Sequence, residues 1–115
     1  MHAHHEIDYI EFTARDLSVA KRFYSEAFGW RFNDYGPGYV GIQGVDREVG
    51  GIAQSDDLHA GGPLVILYST GLEKSLAAVR AAGGEIVRNP FAFPGGRRFH
   101  FADPSGNVLA VWSES

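Results

Sequence analysis

Three side chains in this sequence could move a proton or hold a charge inside a fold. Glu11 sits in the alternating stretch IDYIEFTA, and Arg98 and His100 stand two apart in RRFHFAD. An imidazole exchanges a proton near neutrality, and a carboxylate acts as base or pairs with a cation. His100 and Glu11 are therefore the candidate catalytic residues, with Arg98 or His100 as the partner a buried Glu11 needs. Tyr9, Tyr68 and Trp112 add ring surface for a flat or cationic ligand. Each has a plainer alternative: a structural histidine, an interface ion pair, core or rim aromatics. The opening MHAHHE reads as a frayed, solvated terminus rather than a metal site, because a tail does not preorganise its ligands.

Other chemistries find no support. The chain has 115 residues and no cysteine, which excludes thiolate metal sites, disulfides and a Cys nucleophile. The loops GGP and PGGRR lack phosphate-binding spacing, and no G-x-S-x-G elbow occurs. A net charge of −4 argues against nucleic acid as a partner. No apolar run reaches membrane-spanning length and nothing resembles a signal peptide, so a cytoplasmic location is expected.

The elements that must position these residues read as one unit written twice. IDYIEFTA (7–14) alternates as a strand. Asp16 offers an N-cap to a helix whose apolar face is Leu17, Ala20, Phe23, Tyr24, Ala27 and Phe28, and Gly29 ends it. WRFNDYG, GYVGIQG and VGGIAQS follow as strands, the last two joined by the turn VDRE. In the second half PLVILYS is a strand, and Thr70 to Glu73 fits a capping box. Leu72, Leu76, Val79 and Ala82 make the helical face, which Gly83-Gly84 stops. EIVRN, RRFHFAD and NVLAVWS are the closing strands, with PFAFPGG (90–96) read as a loop that is either a lid or a contact with a partner copy. The repeat covers residues 6–56 and 63–113 of one domain spanning 1–115, with DLHAGG (57–62) as the connection.

The helix pattern DLSVAKRFYSEAFGW, the repeated strand–helix–three-strand unit, and AAGGEIV…GGRRFHFADPSGNVLAVW resemble the vicinal oxygen chelate superfamily. That group holds glyoxalase I, extradiol dioxygenases and bleomycin-resistance proteins. The resemblance implies an α+β fold of two tandem βαβββ modules forming a curved mixed sheet around a cavity, and a homodimer. It also implies where a metal would be held: positions 9, 64 and 110, and a fourth near Gly50 to Ala53. Here those positions carry Tyr9, Leu64 and Ala110, and Glu48 near the fourth falls in the hairpin turn. A shift of two residues would bring in Glu11 or Trp112, restoring one carboxylate only.

No metal and no other cofactor is therefore expected, and metal-dependent glyoxalase I or dioxygenase activity is disfavoured. Carried along the strands, these positions put Tyr9, Glu11, Thr13, Ile66, Tyr68, Val108, Ala110 and Trp112 on the cavity face. Ile10, Phe12, Val65, Leu67, Leu109 and Val111 go to the helix side. Phe99 and Phe101 should also face a helix, leaving Arg98 and His100 on the opposite face. The expected ligand-binding set is Tyr9, Glu11, Tyr68, Arg98, His100 and Trp112, around an unknown small molecule. Two alternatives stay open: a lyase, isomerase or dioxygenase using metal ligands not recognised in the sequence, and a dimeric interaction module without a small ligand.

Overall fold

A computed structural model describes residues 2–56 and 62–115. Ten elements follow the expected order. They are β1 (Ile7–Ala14), α1 (Leu17–Phe28), β2 (Arg31–Asp34), β3 (Tyr39–Gln43), β4 (Glu48–Gln54), β5 (Leu64–Tyr68), α2 (Leu72–Ala81), β6 (Glu85–Phe93), β7 (Gly96–Ala102) and β8 (Val108–Ser113). The fold class is α+β, with β-α-β-β-β written twice. The expected connection 57–62 lies outside the described residues except for Gly62. No helix among those residues is long and apolar enough to cross a membrane.

The chain divides into two compact units. The first holds residues 9–63; the second holds residues up to Asp8 together with 64–115. In the first, β1 runs parallel to β4, and β2-β3-β4 is an antiparallel meander. In the second, β5 runs parallel to β8, and β6-β7-β8 is the meander. The long connection that each parallel pair requires is made by the helix together with the first two strands of the meander.

Of the residues expected on the helix side, Phe12, Leu67, Phe99, Phe101 and Val111 join the two cores, while Ile66, Tyr68 and Ala110, expected on the cavity face, are buried as well. In the first unit Leu17, Val40, Ile42 and Ile52 form the core, with Phe12, Ala20, Tyr24 and Trp30 packed on it. In the second, Phe99 and Val111 pack on Leu72, with Leu67, Leu76, Val79 and Phe101 around them. Ile10 departs from the pattern, being exposed rather than under the helix. Asp16 caps α1 by accepting from Val19 N at 3.2 Å, and Gly29 closes it in the left-handed conformation.

Four local expectations are corrected. Glu48 is not in a turn but starts β4, opposite Gln43 across a bulge. The capping box does not form, and Gly71 is the N-cap of α2. Glu73 instead turns to the Arg97 guanidinium in a two-pronged contact (2.7 and 3.1 Å), and the Thr70 hydroxyl faces His4. The stretch 90–93 is not loop but strand. β6 runs through Phe93, and Pro94-Gly95 is a two-residue turn into β7. Finally, residues 2–6 are not frayed. His5 N donates to Tyr68 O (2.6 Å) and Tyr68 N to Glu6 O (3.2 Å), which binds this segment to the end of β5.

Candidate functional site

In the first unit, β-register decides which side chains share a face. Glu11 pairs with Gly51, Gly51 with Gly41, and Gly41 with Asn33. Tyr9 and Tyr39, two residues along from Glu11 and Gly41, stand on this face with them. The two central glycines leave a bare patch of backbone, and longer side chains lean over it. An ideal Cβ on Gly41 would lie 2.4 Å from the Glu48 carboxylate, and one on Gly51 would lie 1.9 Å from Tyr39 Oη and 2.7 Å from Tyr9 Oη. Bare backbone at Gly51 lets the Tyr39 ring lie there, whereas at Gly41 the atoms in the way of a methyl are the far end of the Glu48 side chain.

The polar groups above that patch are linked. Tyr39 Oη donates to Glu11 Oε2 at 3.1 Å and lies 2.8 Å from Tyr9 Oη. Glu48 accepts from Asn33 Nδ2 at 3.0 Å and from the Tyr35 hydroxyl. Burial pushes the Tyr9 phenol up to about 12, and the nearby Glu48 and Glu11 carboxylates push the same way. Burial raises Tyr39 further. The bond to Glu48 raises Tyr35. All three therefore remain neutral phenols, Tyr39 and Tyr35 donating to the two carboxylates and Tyr9 donating to Tyr39.

The second unit carries a different face. Arg98 pairs with Trp112 and His100 with Ala110; Tyr68 pairs with Trp112 from the other side. Phe91 and Phe93, expected in a loop, lie on this face instead. Arg88 stacks 3.6 Å over the Phe91 ring, and Arg98 approaches Phe91 and Phe93 at 5.5 and 5.8 Å. Phe91 packs on His100 (5.7 Å) and Phe93 on Trp112 (6.0 Å). Tyr68 and Trp112 meet edge to face at 5.2 Å, and the Tyr68 hydroxyl donates to Glu114. The Trp112 indole donates to Asp8 Oδ2 at 2.9 Å.

Of the six expected ligand-binding residues, Tyr9 and Glu11 thus belong to the first unit; Tyr68, Arg98, His100 and Trp112 share one face of the second. Tyr39, Asn33, Tyr35, Asp8 and Arg88 are not among the residues expected from the sequence, and Glu48 is expected there only as a turn residue. The glycines of GYVGIQG and VGGIAQ are the signal in the sequence for the side chains that lean over them, Tyr39 and Glu48.

The metal that the resemblance associates with positions 9, 64 and 110 does not fit the residues there. Leu64 and Ala110 are buried hydrocarbon, and a phenol raised to about 12 is a poor ligand near neutrality. Among the described residues no three His, Asp or Glu side chains gather where they could hold a metal ion. The turn before β8 is scaffolding: Asp103 accepts from Ser105 N, Asn107 N and Asn107 Nδ2, each at 2.9 Å.

Comparison with known proteins agrees with the architecture. A manganese-bound glyoxalase from Novosphingobium aromaticivorans superposes with a TM-score of 0.72 at 24% identity, over 99% of this chain and 40% of that one. A glyoxalase/bleomycin resistance protein/dioxygenase superfamily member from Vibrio splendidus 12B01 gives 0.71 at 11% identity, over 95% and 98%. A methylmalonyl-CoA epimerase from Streptomyces coelicolor gives 0.70 at 12% identity, over 98% and 96%. At these identities the likeness speaks for the fold alone. No match to a curated protein was found. The family model of the Glyoxalase/Bleomycin resistance protein/Dioxygenase superfamily matches residues 6–111, and the chain belongs to that superfamily.

Proposed function

We propose that the protein binds a small molecule carrying a positive group on the first-unit face, without a metal between chain and ligand. The observation that carries this reading is the arrangement over Gly41 and Gly51: two carboxylates flanked by three neutral phenols. Carboxylates give charge-assisted hydrogen bonds to an ammonium or guanidinium, and phenol rings offer cation–π faces. Each phenol gives its one hydrogen within the site, Tyr39 to Glu11, Tyr35 to Glu48 and Tyr9 to Tyr39, so what the face offers a ligand is acceptor capacity, which suits a cationic donor. The homodimer that the resemblance implies is part of the proposal, and sedimentation equilibrium would read twice the chain mass of 12.5 kDa.

The test is a thermal-shift series on one ring with varied charge: benzylammonium, benzyl alcohol and benzoate. Benzylammonium is expected to raise the melting temperature in a saturable way, and Glu48→Gln to abolish most of that rise. Equal shifts from all three compounds, or an unaltered shift in Glu48→Gln, would overturn the reading.

A further inference from the structure

The histidine-bearing segment before β1 ends in a well-defined place. The His2 imidazole stacks on Tyr68 with ring centroids 4.9 Å apart and planes 24° apart. It meets Trp112 edge-on at 5.0 Å and 89°. Its Nδ1 lies 2.7 Å from Asp8 Oδ1. Asp8 is only 6% exposed, and its other oxygen accepts the Trp112 indole N–H at 2.9 Å. Glu114, bonded to the Tyr68 hydroxyl, places a second carboxylate on the same two-ring wall. Two rings and a buried carboxylate thus enclose a flat nitrogen heterocycle, and the heterocycle belongs to the chain itself.

We propose that Asp8, Tyr68 and Trp112 form a recognition box for a planar cationic nitrogen heterocycle, and that His2 fills it in cis as a displaceable plug. The chemistry of the box is specific. The buried carboxylate requires an N–H donor and favours a positive one. The Tyr68 face requires a flat partner, and both rings favour a cation. A neutral ring of the same size meets only part of these demands. The plug is held near the box by the backbone bonds of His5 and Glu6 to Tyr68, and by His4 accepting from Thr70 N at 3.0 Å. Those anchors survive when the His2 side chain turns away. A tethered group competes at an effective concentration on the order of millimolar, so a free ligand binds the intact chain weakly and the unplugged chain better. The proposal is independent of the first-unit site, and Glu48→Gln leaves it untouched, so the two readings fail separately.

The chain has two tryptophans, so Trp30→Phe leaves Trp112 as the sole indole reporter. In that background, imidazole is titrated at about pH 5.5, where it carries its proton, against the neutral isostere pyrazole. With His2→Ala added, imidazole should change Trp112 emission saturably, as a ligand refilling the space left by a truncated side chain. Half-saturation should come at roughly a tenfold or more lower concentration than with His2 present. Pyrazole should bind weakly or not at all. Straight-line quenching of equal slope with and without His2 is collisional and overturns the proposal, as does pyrazole binding as well as imidazole. Adding Asp8→Asn to the His2→Ala chain should weaken binding about tenfold or more. If that variant does not fold, the His2→Ala and pyrazole comparisons already decide the matter.

Discussion

Gly41→Ala separates the site from the scaffold, because the new methyl would collide with the far end of a side chain and not with backbone. Its ideal Cβ would sit 2.4 Å from Glu48 Cδ and Oε1 and 2.5 Å from Oε2. Ordinary carbon contacts begin near ~3.5 Å, so the carboxylate must retreat by about 1 Å or more. A retreat of that size takes the 3.0 Å bond from Asn33 out of hydrogen-bond range. Tyr35 is exposed, so water replaces much of what is lost, and the net cost of the two bonds is about 1 kcal/mol. Replacing glycine within a strand returns about 0.5–1 kcal/mol. The two nearly cancel, and the melting temperature should move by less than about 5 °C. Benzylammonium affinity should nevertheless fall about tenfold or more, equivalent to about 1.4 kcal/mol. The Tyr35 phenol, raised by its bond to Glu48, should titrate closer to an ordinary tyrosine in a ring-labelled NMR titration. Unchanged Tyr35 titration together with unchanged benzylammonium binding would refute the placement of Glu48 over Gly41.

Gly51→Ala should be harsher, since the Tyr39 ring is half-buried and must swing as a whole; about 1–3 kcal/mol is expected from urea unfolding, with binding lost as well. Phe99→Ala removes a ring with 0% exposure from the second core and should cost about 3–5 kcal/mol by the same measurement. Stability should also respond to alkali. Tyr9 is held up to about 12 and Tyr39 is raised as well, whereas unfolded phenols titrate near ~10. Both states keep these protons at lower pH. Above that point the unfolded chain releases them first, so stability is full up to about pH 10 and falls as pH rises through about 12. Tyr9→Phe should make the fall shallower in unfolding measured across that range.

The strands and helices were legible because their periodicities are strong. The α1 caps were readable from Asp16 and Gly29, and the Phe99/Phe101 alternation correctly sent Arg98 and His100 to the opposite face. What failed was local competition between partners. Thr70 and Glu73 have capping-box spacing, but Arg97 offers Glu73 a two-pronged ion pair that spacing cannot reveal. Pro90 and Gly95 make 90–96 look like a loop, while Phe91 and Phe93 find the Arg98 guanidinium and the His100 ring on β7 and the Trp112 ring on β8. Glu48 looked like a turn residue because the bulge opposite Gln43, which puts it into β4, leaves no mark in composition. His2 looked solvated because its partners, Asp8, Tyr68 and Trp112, are up to 110 residues away in the chain.

Direct binding by carboxylates and phenols is decided by calorimetric titration of benzylammonium into the protein before and after exhaustive chelation. The same affinity is expected in both, lost in Glu48→Gln. Binding that disappears on chelation and returns with a divalent metal would contradict it, and would place a metal ion between this chain and its ligand.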